Sequence, residues 1–302
     1  ISFLFCSPMG CLFSRPDIET PTRRFKVKKL IATGGFSEVH LAEDMDSGEK
    51  FAMKKIKLVE EREMAKVKWE IDMHLKFGSH ANIVPLICDA RPEELEFCLF
   101  FPFYSNGSVA ALQEKNRSTN SYIAQPEVLS WMEGISSALS MIHSQSYAHR
   151  DIKPHNILLI SDRKPMLTDF GSSVLMPIHI DDARESQLRR DEAAEMSSMP
   201  YRAPELFTCE IDSDLTIAVD IWSLACLFYS FCYFISPFDS VYEKGNSIAL
   251  AVQSPNMIQY PTEAPYDDEV VDLIKGMLSV EVTTRPSIDS VIEKINTIVN
   301  KN

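Results

Sequence analysis

The sequence lacks several features that mark common classes of protein. No two of its seven cysteines are spaced as Cys-x-x-Cys, so a structural zinc site has no support. These cysteines are odd in number and have no framework spacing, which indicates reduced thiols in an intracellular protein. The longest nearly apolar run, residues 221–235, is shorter than the roughly 18 to 20 residues of a membrane-spanning helix. We therefore expect a buried core helix there.

Positive charge is also scarce. Lys and Arg number 30 against 43 Asp and Glu, which gives a net charge of −13 at pH 7. This balance argues against a nucleic-acid-binding surface, and we expect no nucleic-acid partner. The sequence contains no low-complexity tract and no repeat of about 20–50 residues, which excludes repeat architectures. Its 302 residues suit one large domain or two lobes.

Local patterns change in kind along the chain. Residues 25–57 alternate apolar and polar side chains in runs separated by turn residues, which predicts strands, and shorter strand-like runs follow at 83–87 and 96–101. Residues 62–77 follow a helical period instead. Further helices are predicted at about 108–116, 126–145, 220–235, 245–253, 267–278 and 287–299. A strand-rich first third followed by a helical remainder predicts an α+β bilobal fold.

An ordered set of short motifs carries the chemical signal. Residues 149–156 read HRDIKPHN, Asp169 opens the tripeptide DFG 13 residues after that segment, and APE follows at 203–205. Upstream, Lys54 lies in a predicted strand, and Glu70 follows 16 residues later on the predicted helix. Each motif alone is weak, but five in this order and secondary-structure context resemble the protein-kinase signature set.

The resemblance implies phosphoryl transfer from ATP, in which positioning and charge neutralisation provide most of the catalysis. Lys54 would pair with the α- and β-phosphates, and Glu70 would hold Lys54 in place. Asn156 and Asp169 would bind Mg²⁺, with Mn²⁺ as an alternative ion. ATP and Mg²⁺ are therefore the expected cofactors.

The HRDIKPHN segment would also act on the acceptor. Asp151 would accept the proton of the attacking hydroxyl or orient it, and Lys153 would reach the transferring phosphate. A lysine at this position resembles serine/threonine kinases, so we expect protein substrates with Ser or Thr acceptors. His155 and Ser230 stand where basophilic kinases place acidic residues. We therefore expect no strong selection for basic residues just before the phosphorylation site.

The nucleotide loop departs from the G-x-G-x-x-G pattern of the family. Ala32 and Ser37 stand at the first and third glycine positions, and only Gly34 keeps its place. Phe101 is expected at the back of the adenine pocket, with Pro102–Tyr104 as the hinge. The resemblance implies nucleotide contacts from Ala32, Gly34, Gly35, Phe36, Val39, Ala52, Lys54, Phe101, Pro102, Phe103, Tyr104, Asn156, Leu158 and Asp169.

Two other functional classes stay open. A pseudokinase or scaffold would bind partners with little catalysis, and the incomplete glycine loop supports it. The intact set formed by Lys54, Glu70, Asp151, Asn156 and Asp169 disfavours it. A lipid or small-molecule kinase shares the same chemistry, but the APE segment resembles protein-substrate docking architecture.

The resemblance also implies an architecture. We expect a small lobe made of a five-stranded antiparallel sheet with one main helix, and a larger, mainly helical lobe. The predicted boundaries are a tail at 1–20, the small lobe at 21–101, a hinge at 102–104 and the large lobe at 105–302. Oligomeric state stays open.

Three charged side chains outside the catalytic set are expected to be structural. Glu205 and Arg285 should form a buried ion pair. Asp220, which opens the segment DIWSL, should cap the long helix and anchor it under the catalytic loop.

A long activation segment spans residues 169–205. Helix formers and charges within it predict an exposed helix at 181–196. Arg150 could receive a phosphate placed on a serine of this segment, or the helix could hold the segment without phosphorylation, and the resemblance favours constitutive activity. The candidate serines are Ser186, Ser197 and Ser198, of which Ser198 matches the position where kinases place a hydroxyl near the catalytic aspartate.

Several longer stretches are similar to a narrower group, the Numb-associated kinase family. They read GGFSEVHL, YAHRDIKPHN, MPYRAPELF and YEKGNSIALAVQ, and the likeness covers about residues 25–300. Within that family the chain resembles the small myristoylated and palmitoylated serine/threonine kinase type. This resemblance implies a role in membrane trafficking or secretory-pathway signalling.

The N-terminal region fits that resemblance. Residues 9–14 read MGCLFS and match the myristoylation pattern M-G-x-x-x-[ST], with Gly10 as the acylated residue and Cys11 as a palmitoylation candidate. Stable anchoring needs two such signals. Acylation requires Met9 to be the true start. We expect a cytoplasmic protein held peripherally on membranes, at the Golgi or the perinuclear region.

Overall fold

The structure is a computed structural model that describes residues 17–34, 37–119, 121–160 and 163–301, apart from the side chain of Arg62. Contacts divide it into two compact units. The smaller comprises the described residues up to Glu61 with Ile87–Phe103, and the larger comprises Arg62–Leu86 with the described residues from Tyr104 onward. Residues 62–86 thus group with the larger unit, whereas the sequence interpretation put them in the small lobe. The lobe boundaries stay a prediction.

The smaller unit is an antiparallel sheet of six strands in the order β1-β2-β3-β4-β6-β5. The strands are β1 (Ile18–Glu19), β2 (Arg24–Thr33), β3 (Ser37–Asp44), β4 (Lys50–Lys57), β5 (Cys88–Glu93) and β6 (Glu96–Pro102). The prediction of five strands is wrong by one. The additional strand is β1, which falls in the predicted tail and pairs Ile18 with Phe25. Burial of the Ile18 side chain against the sheet core explains this pairing.

One face of this sheet forms a small apolar core. Phe25, Phe51, Met53 and Phe100 are almost fully buried on it. The rings of Phe25 and Phe100 stack with centroids 3.9 Å apart. Successive side chains of a strand point to opposite faces, so the alternate residues of the same strands lie on the other face.

The larger unit is mainly helical. Within the described residues its helices are α1 (Met64–Phe77), α2 (Val109–Thr119), α3 (Gln125–His143), α4 (Ala183–Met196), α5 (Glu205–Thr208), α6 (Ala218–Tyr233), α7 (Asp239–Glu243), α8 (Ile248–Ala251), α9 (Asp268–Met277) and α10 (Ile288–Val299). The helix predicted at 245–253 is wrong in extent, because Gly245 with φ +69° separates α7 from α8. In the described part of the chain, none of the helices is both long and apolar enough to cross a bilayer.

Helix α6 lies at the centre of this unit. It is buried along almost its whole length, from Val219 to Cys232, which confirms the predicted core helix. The unit also contains short paired strands. They are β7 (Tyr147–Ala148), β8 (Ile157–Leu159), β9 (Pro165–Leu167), β10 (Val174–Leu175), β11 (Ile178–Ile180) and β12 (Ser213–Leu215), paired as β7 with β10, β8 with β9 and β11 with β12.

Candidate active site

The HRDIKPHN segment lies between β7 and β8 and is anchored to α6 by Asp220. The Asp220 carboxylate accepts hydrogen bonds from the backbone N–H groups of His149 at 2.7 Å and Arg150 at 2.8 Å. His143 Nε2 lies 3.0 Å from the same carboxylate. The predicted anchor is therefore confirmed. The predicted cap is wrong, because Asp220 lies in the first turn of α6 and Ile217 occupies the N-cap.

This environment holds Asp220 in its charged form. The residue is fully buried, and burial by itself raises the pKa of a carboxyl group. The hydrogen bond with His143 and the backbone donors outweigh that effect, so the pKa of Asp220 lies below its ordinary value. A fixed negative charge thus supports the turn of the catalytic loop.

The carboxylate of Asp151 is held by donors on both oxygens. Oδ1 accepts from the Ser198 hydroxyl at 2.8 Å and from the Ser198 backbone N–H at 3.2 Å. Oδ2 accepts from Asn156 Nδ2 at 3.0 Å and lies 2.8 Å from Lys153 Nζ. Lys153 Nζ also donates to Ser198 Oγ at 2.8 Å. These four sequence-predicted residues therefore converge, and they present a fixed carboxylate beside an ammonium group.

Asp169 begins a tight turn that follows β9. It has a positive φ of 70°, and the next residue, Phe170, is fully buried. The Phe170 ring packs on His74, Phe77 and His149, with centroids 4.9, 5.8 and 5.2 Å away. Because this packing fixes Phe170, it also fixes the backbone from which the Asp169 carboxylate projects.

The donor set of Asn156 and Asp169 suits a magnesium ion. The Asn156 side-chain nitrogen donates to the backbone oxygen and to the carboxylate of Asp151, which leaves its carbonyl oxygen as the remaining polar atom. Thr168, the neighbour of Asp169, donates its backbone N–H to the backbone carbonyl of Asn156 at 3.0 Å, which keeps the two segments together. Amide and carboxylate oxygens are the ligands that Mg²⁺ prefers.

Helix α1 brings Glu70 to the turn at Asp169. Glu70 is only 4% exposed. A side-chain carbon placed on Gly171 would lie 3.5 Å from Glu70 Oε2 and 3.5 Å from Asp169 Oδ1. Both carboxylates therefore lie close to the turn at Gly171. Trp69 Nε1 also donates to the Ser173 carbonyl at 2.8 Å, which ties α1 to the following segment.

The predicted nucleotide-contact residues of the smaller unit share one face of the sheet. Ala32 pairs with Val39, Val39 with Lys54, and Ala52 with Phe101. Directly paired residues, and residues two apart on a strand, lie on the same side of a sheet. The apolar core of the unit is on the opposite side. The register thus places Lys54 on the same face as Ala32, Val39, Ala52 and Phe101.

The other residues predicted to contact the nucleotide lie in the turn after β2, at the end of β6 and on β8. Gly34 directly follows β2, and its N–H donates to the Ser37 carbonyl at 2.7 Å. Phe101 and Pro102 end β6, Phe103 and Tyr104 follow it half-buried, and Leu158 lies on β8. Gly35 and Phe36 of the glycine loop, and Gly10 and Cys11 of the acylation motif, lie outside the described residues.

The Glu205–Arg285 ion pair is confirmed. Arg285 Nη1 and Nη2 donate to the two Glu205 oxygens at 2.7 and 3.1 Å. The Arg285 side chain is fully buried, and it also donates to the carbonyls of Ala218 and Ser279. This pair ties the start of α5 to the start of α6 and the residues before α10.

The activation segment forms the predicted helix, α4, with Asp182 accepting from the Glu185 N–H as its N-cap. The helix was predicted to be exposed, but one side of it is not, because Ser186 and Ala193 are buried. Ser186 Oγ donates to the Cys209 carbonyl at 2.6 Å, and Ser197 Oγ donates to the Ala193 carbonyl at 2.7 Å. As phosphorylation sites, the three candidate serines stay a prediction.

Sequence reasoning missed one charged contact. Arg150 Nη1 lies 2.6 Å from Oε1 of Glu192, a residue of α4. The two residues are 42 positions apart, and no local pattern distinguishes Glu192 from the other acidic residues of the helix.

A pocket of about 150 Å³ lies beside the catalytic loop. Its charged lining is mixed, with Glu114 and Asp239 opposed by Arg117, and His155 at its edge. Ser230 does not offer its hydroxyl to this pocket, because that group is buried and accepts from the Gln113 amide at 3.2 Å.

Comparison with known proteins agrees with this arrangement. Residues 25–295 match the protein kinase domain family, and the chain belongs to that family. It is 32% identical over 291 residues to serine/threonine-protein kinase 16 of Homo sapiens. This alignment covers 95% of this chain and 94% of the relative. It is 30% identical over 328 residues to serine/threonine-protein kinase ppk13 of Schizosaccharomyces pombe, with 96% and 95% covered.

The chain is therefore a serine/threonine protein kinase with the α+β fold of that family. Its family uses ATP and Mg²⁺ for phosphoryl transfer, and its substrates are proteins with Ser or Thr acceptors.

Proposed function

We propose that this kinase is catalytically active and that Asp151 orients the acceptor hydroxyl and receives its proton. The observation that carries the proposal is the set of donors around the Asp151 carboxylate, from Ser198, Asn156 and Lys153. These donors fix the direction of the carboxylate before the acceptor arrives, and positioning of this kind supplies much of the rate in phosphoryl transfer.

In this proposal the neighbouring cations neutralise negative charge. Lys153 supports the transferring phosphoryl group, since its ammonium lies within 2.8 Å of both Asp151 and Ser198. Asn156 and Asp169 would hold Mg²⁺, which would neutralise charge on the triphosphate. Lys54 would pair with the α- and β-phosphates, and the face formed by Ala32, Val39, Ala52 and Phe101 would cover the base and sugar.

The test is transfer of radiolabelled phosphate to a generic protein substrate with Ser and Thr acceptors. We expect transfer by the wild type and its loss in Asp151→Asn and in Lys54→Met, with both variants folded. ATP binding measured on the same samples separates the alternatives. A wild type that binds ATP but transfers nothing would indicate a pseudokinase. Transfer only to lipid or small-molecule acceptors would indicate a lipid or small-molecule kinase.

We further propose that the chain is a member of the Numb-associated kinase family and that it is held on membranes by acyl groups on Gly10 and Cys11. The support is the MGCLFS pattern at residues 9–14 together with the family-like segments. One myristoyl chain binds a membrane only marginally, so the second acyl group on Cys11 is needed for stable attachment. A cytoplasmic, peripheral location at the Golgi or perinuclear region and a trafficking role follow from the same resemblance.

The membrane proposal is tested in the native cell. Intact-mass measurement should find Gly10 as the first residue, carrying a myristoyl group. Gly10→Ala should move the protein from the membrane to the soluble fraction while leaving its specific activity unchanged. Identical fractionation of the variant and the wild type would count against the acyl anchor.

A further inference from the structure

Arg150, the arginine beside the catalytic aspartate, is a buried cation that depends on a single counter-ion. Its side chain is only 4% exposed. A buried guanidinium is costly unless a negative charge compensates it. Within the described part of the chain, Glu192 is the one carboxylate at ion-pair distance from Arg150, and Arg150 Nε has no hydrogen-bond partner there.

The Glu192 carboxylate is oriented for this contact. Oε1 accepts from Arg150 at 2.6 Å, while Oε2 accepts from Arg189 Nη1 at 2.8 Å. Arg189 is in turn held by Glu185 one turn earlier in α4. Burial opposes ionisation of Glu192, but Arg150 and Arg189 outweigh it, so the pKa of Glu192 lies below its ordinary value. The group is therefore charged at neutral pH.

Helix α4 is a fixed platform for this carboxylate. Ser186 donates to the Cys209 carbonyl at 2.6 Å, and Arg190 donates to the Thr208 carbonyl at 2.9 Å. Ala193, next to Glu192, is fully buried. The helix is thus packed against the end of α5, and Glu192 does not depend on a flexible loop for its position.

The contact affects the catalytic loop through its backbone. Arg150 has φ +68°, a left-handed conformation that a non-glycine residue keeps only where its surroundings hold it. Asp220 holds the backbone N–H of Arg150, and Glu192 holds its guanidinium. Asp151 is the next residue, so its carboxylate direction depends on this conformation. Ser198, two residues beyond α4, contacts the same carboxylate.

In many kinases a phosphate added to the activation segment pairs with arginine and orders the segment. Here the position on Arg150 is already taken by a carboxylate of the chain itself. The hydroxyls of Ser186 and Ser197 are buried and already donate to backbone carbonyls. Both hydroxyls are therefore engaged with the backbone, and neither of these bonds is to Arg150.

We propose that Glu192 is a positioning residue whose carboxylate holds Arg150, and through it Asp151, in the working geometry without any phosphate group. The proposal rests on the catalytic role of Asp151 given above. It assigns constitutive activity to one ion pair between α4 and the catalytic loop.

The test compares Glu192→Gln, which keeps the shape and removes the charge, with Asp191→Asn as the matched control. Asp191 is the exposed neighbour on the same helix, and its side chain contacts Gln187. We expect kcat per folded molecule of Glu192→Gln to fall about 10- to 100-fold, the size expected for a displaced catalytic group, with KM for ATP changed less than about twofold. Asp191→Asn should match the wild type.

Two further measurements test whether Glu192 acts through Arg150 and whether activity needs a phosphate group. If Glu192 acts through Arg150, the double variant Glu192→Gln/Arg150→Gln should lose no more kcat than Arg150→Gln alone. Phosphatase treatment should leave the wild-type kcat unchanged.

The proposal is overturned by wild-type kcat in Glu192→Gln, by a loss no larger than the unfolded fraction, by additive losses in the double variant, or by inactivation with phosphatase. An inactive wild type would refute the catalytic function itself rather than this ion pair.

Discussion

Replacing Glu205 with alanine tests the energetics of the larger unit. The change removes one partner of a bidentate pair in which the Arg285 side chain is fully buried and the Glu205 side chain is 16% exposed. Arg285 keeps two carbonyl acceptors, from Ala218 and Ser279, but loses its only carboxylate among the described residues. Breaking a buried pair from one side costs about 3–5 kcal/mol, because an uncompensated charge stays behind.

The assay is thermal unfolding followed by circular dichroism. At roughly 2–4 °C for each kcal/mol in a domain of about 200 residues, the melting temperature should fall by about 6–20 °C. Glu210→Ala is the control, because Glu210 is an exposed residue just beyond α5. The reasoning is refuted if Glu205→Ala melts with the wild type, or if Glu210→Ala loses as much.

Two further predictions concern acid stability and substrate selection. The pKa of Asp220 is lowered in the folded state, so its contribution is complete above about pH 4, the ordinary range of an unfolded aspartate, and is lost as the pH falls through the folded value. Urea unfolding between pH 3 and 6 should therefore show a shallower acid loss in Asp220→Asn than in the wild type, and equal slopes would contradict this. The mixed charges of the pocket at His155 and the internal hydrogen bond of Ser230 predict no dominant arginine at the −2 or −3 position of substrates. A peptide array dominated by arginine there would overturn that expectation.

The sequence predicted well what short, contiguous patterns determine. Alternation and turn residues located β2, β3 and β4, and the segment around Asp151 identified the residues that converge in the catalytic loop. Motif spacing also identified Ser198 as a neighbour of Asp151, which the structure confirms at 2.8 Å. These patterns work because each motif is a local piece of backbone with its own geometry.

Contacts between distant segments were harder to predict. The helical period of residues 62–77 places Leu75 on an apolar stripe with Val67 and Ile71, yet Leu75 is 66% exposed, because Glu70, His74 and Phe77 face the DFG turn instead. The buried face of a helix depends on what it packs against, and here that surface is polar as well as aromatic.

The same reason applies to two other differences. Asp220 opens a helical pattern, which suggested a cap. Its carboxylate oxygens instead accept hydrogen bonds from the catalytic loop, about 70 residues earlier in the chain. The partner of Arg150 depends on how α4 packs against the rest of the unit, and helix propensity gives the helix but not its orientation.

The most direct test of the central claim is turnover by Asp169→Asn measured beside its folding and its nucleotide binding. Asp169 is proposed to hold Mg²⁺ with Asn156, and its side chain is not part of the apolar core. We predict that the variant melts within about 2 °C of the wild type, loses Mg²⁺-dependent tightening of ATP binding, and loses at least about 100-fold in kcat. Wild-type turnover in a folded Asp169→Asn protein would contradict the assignment of this site.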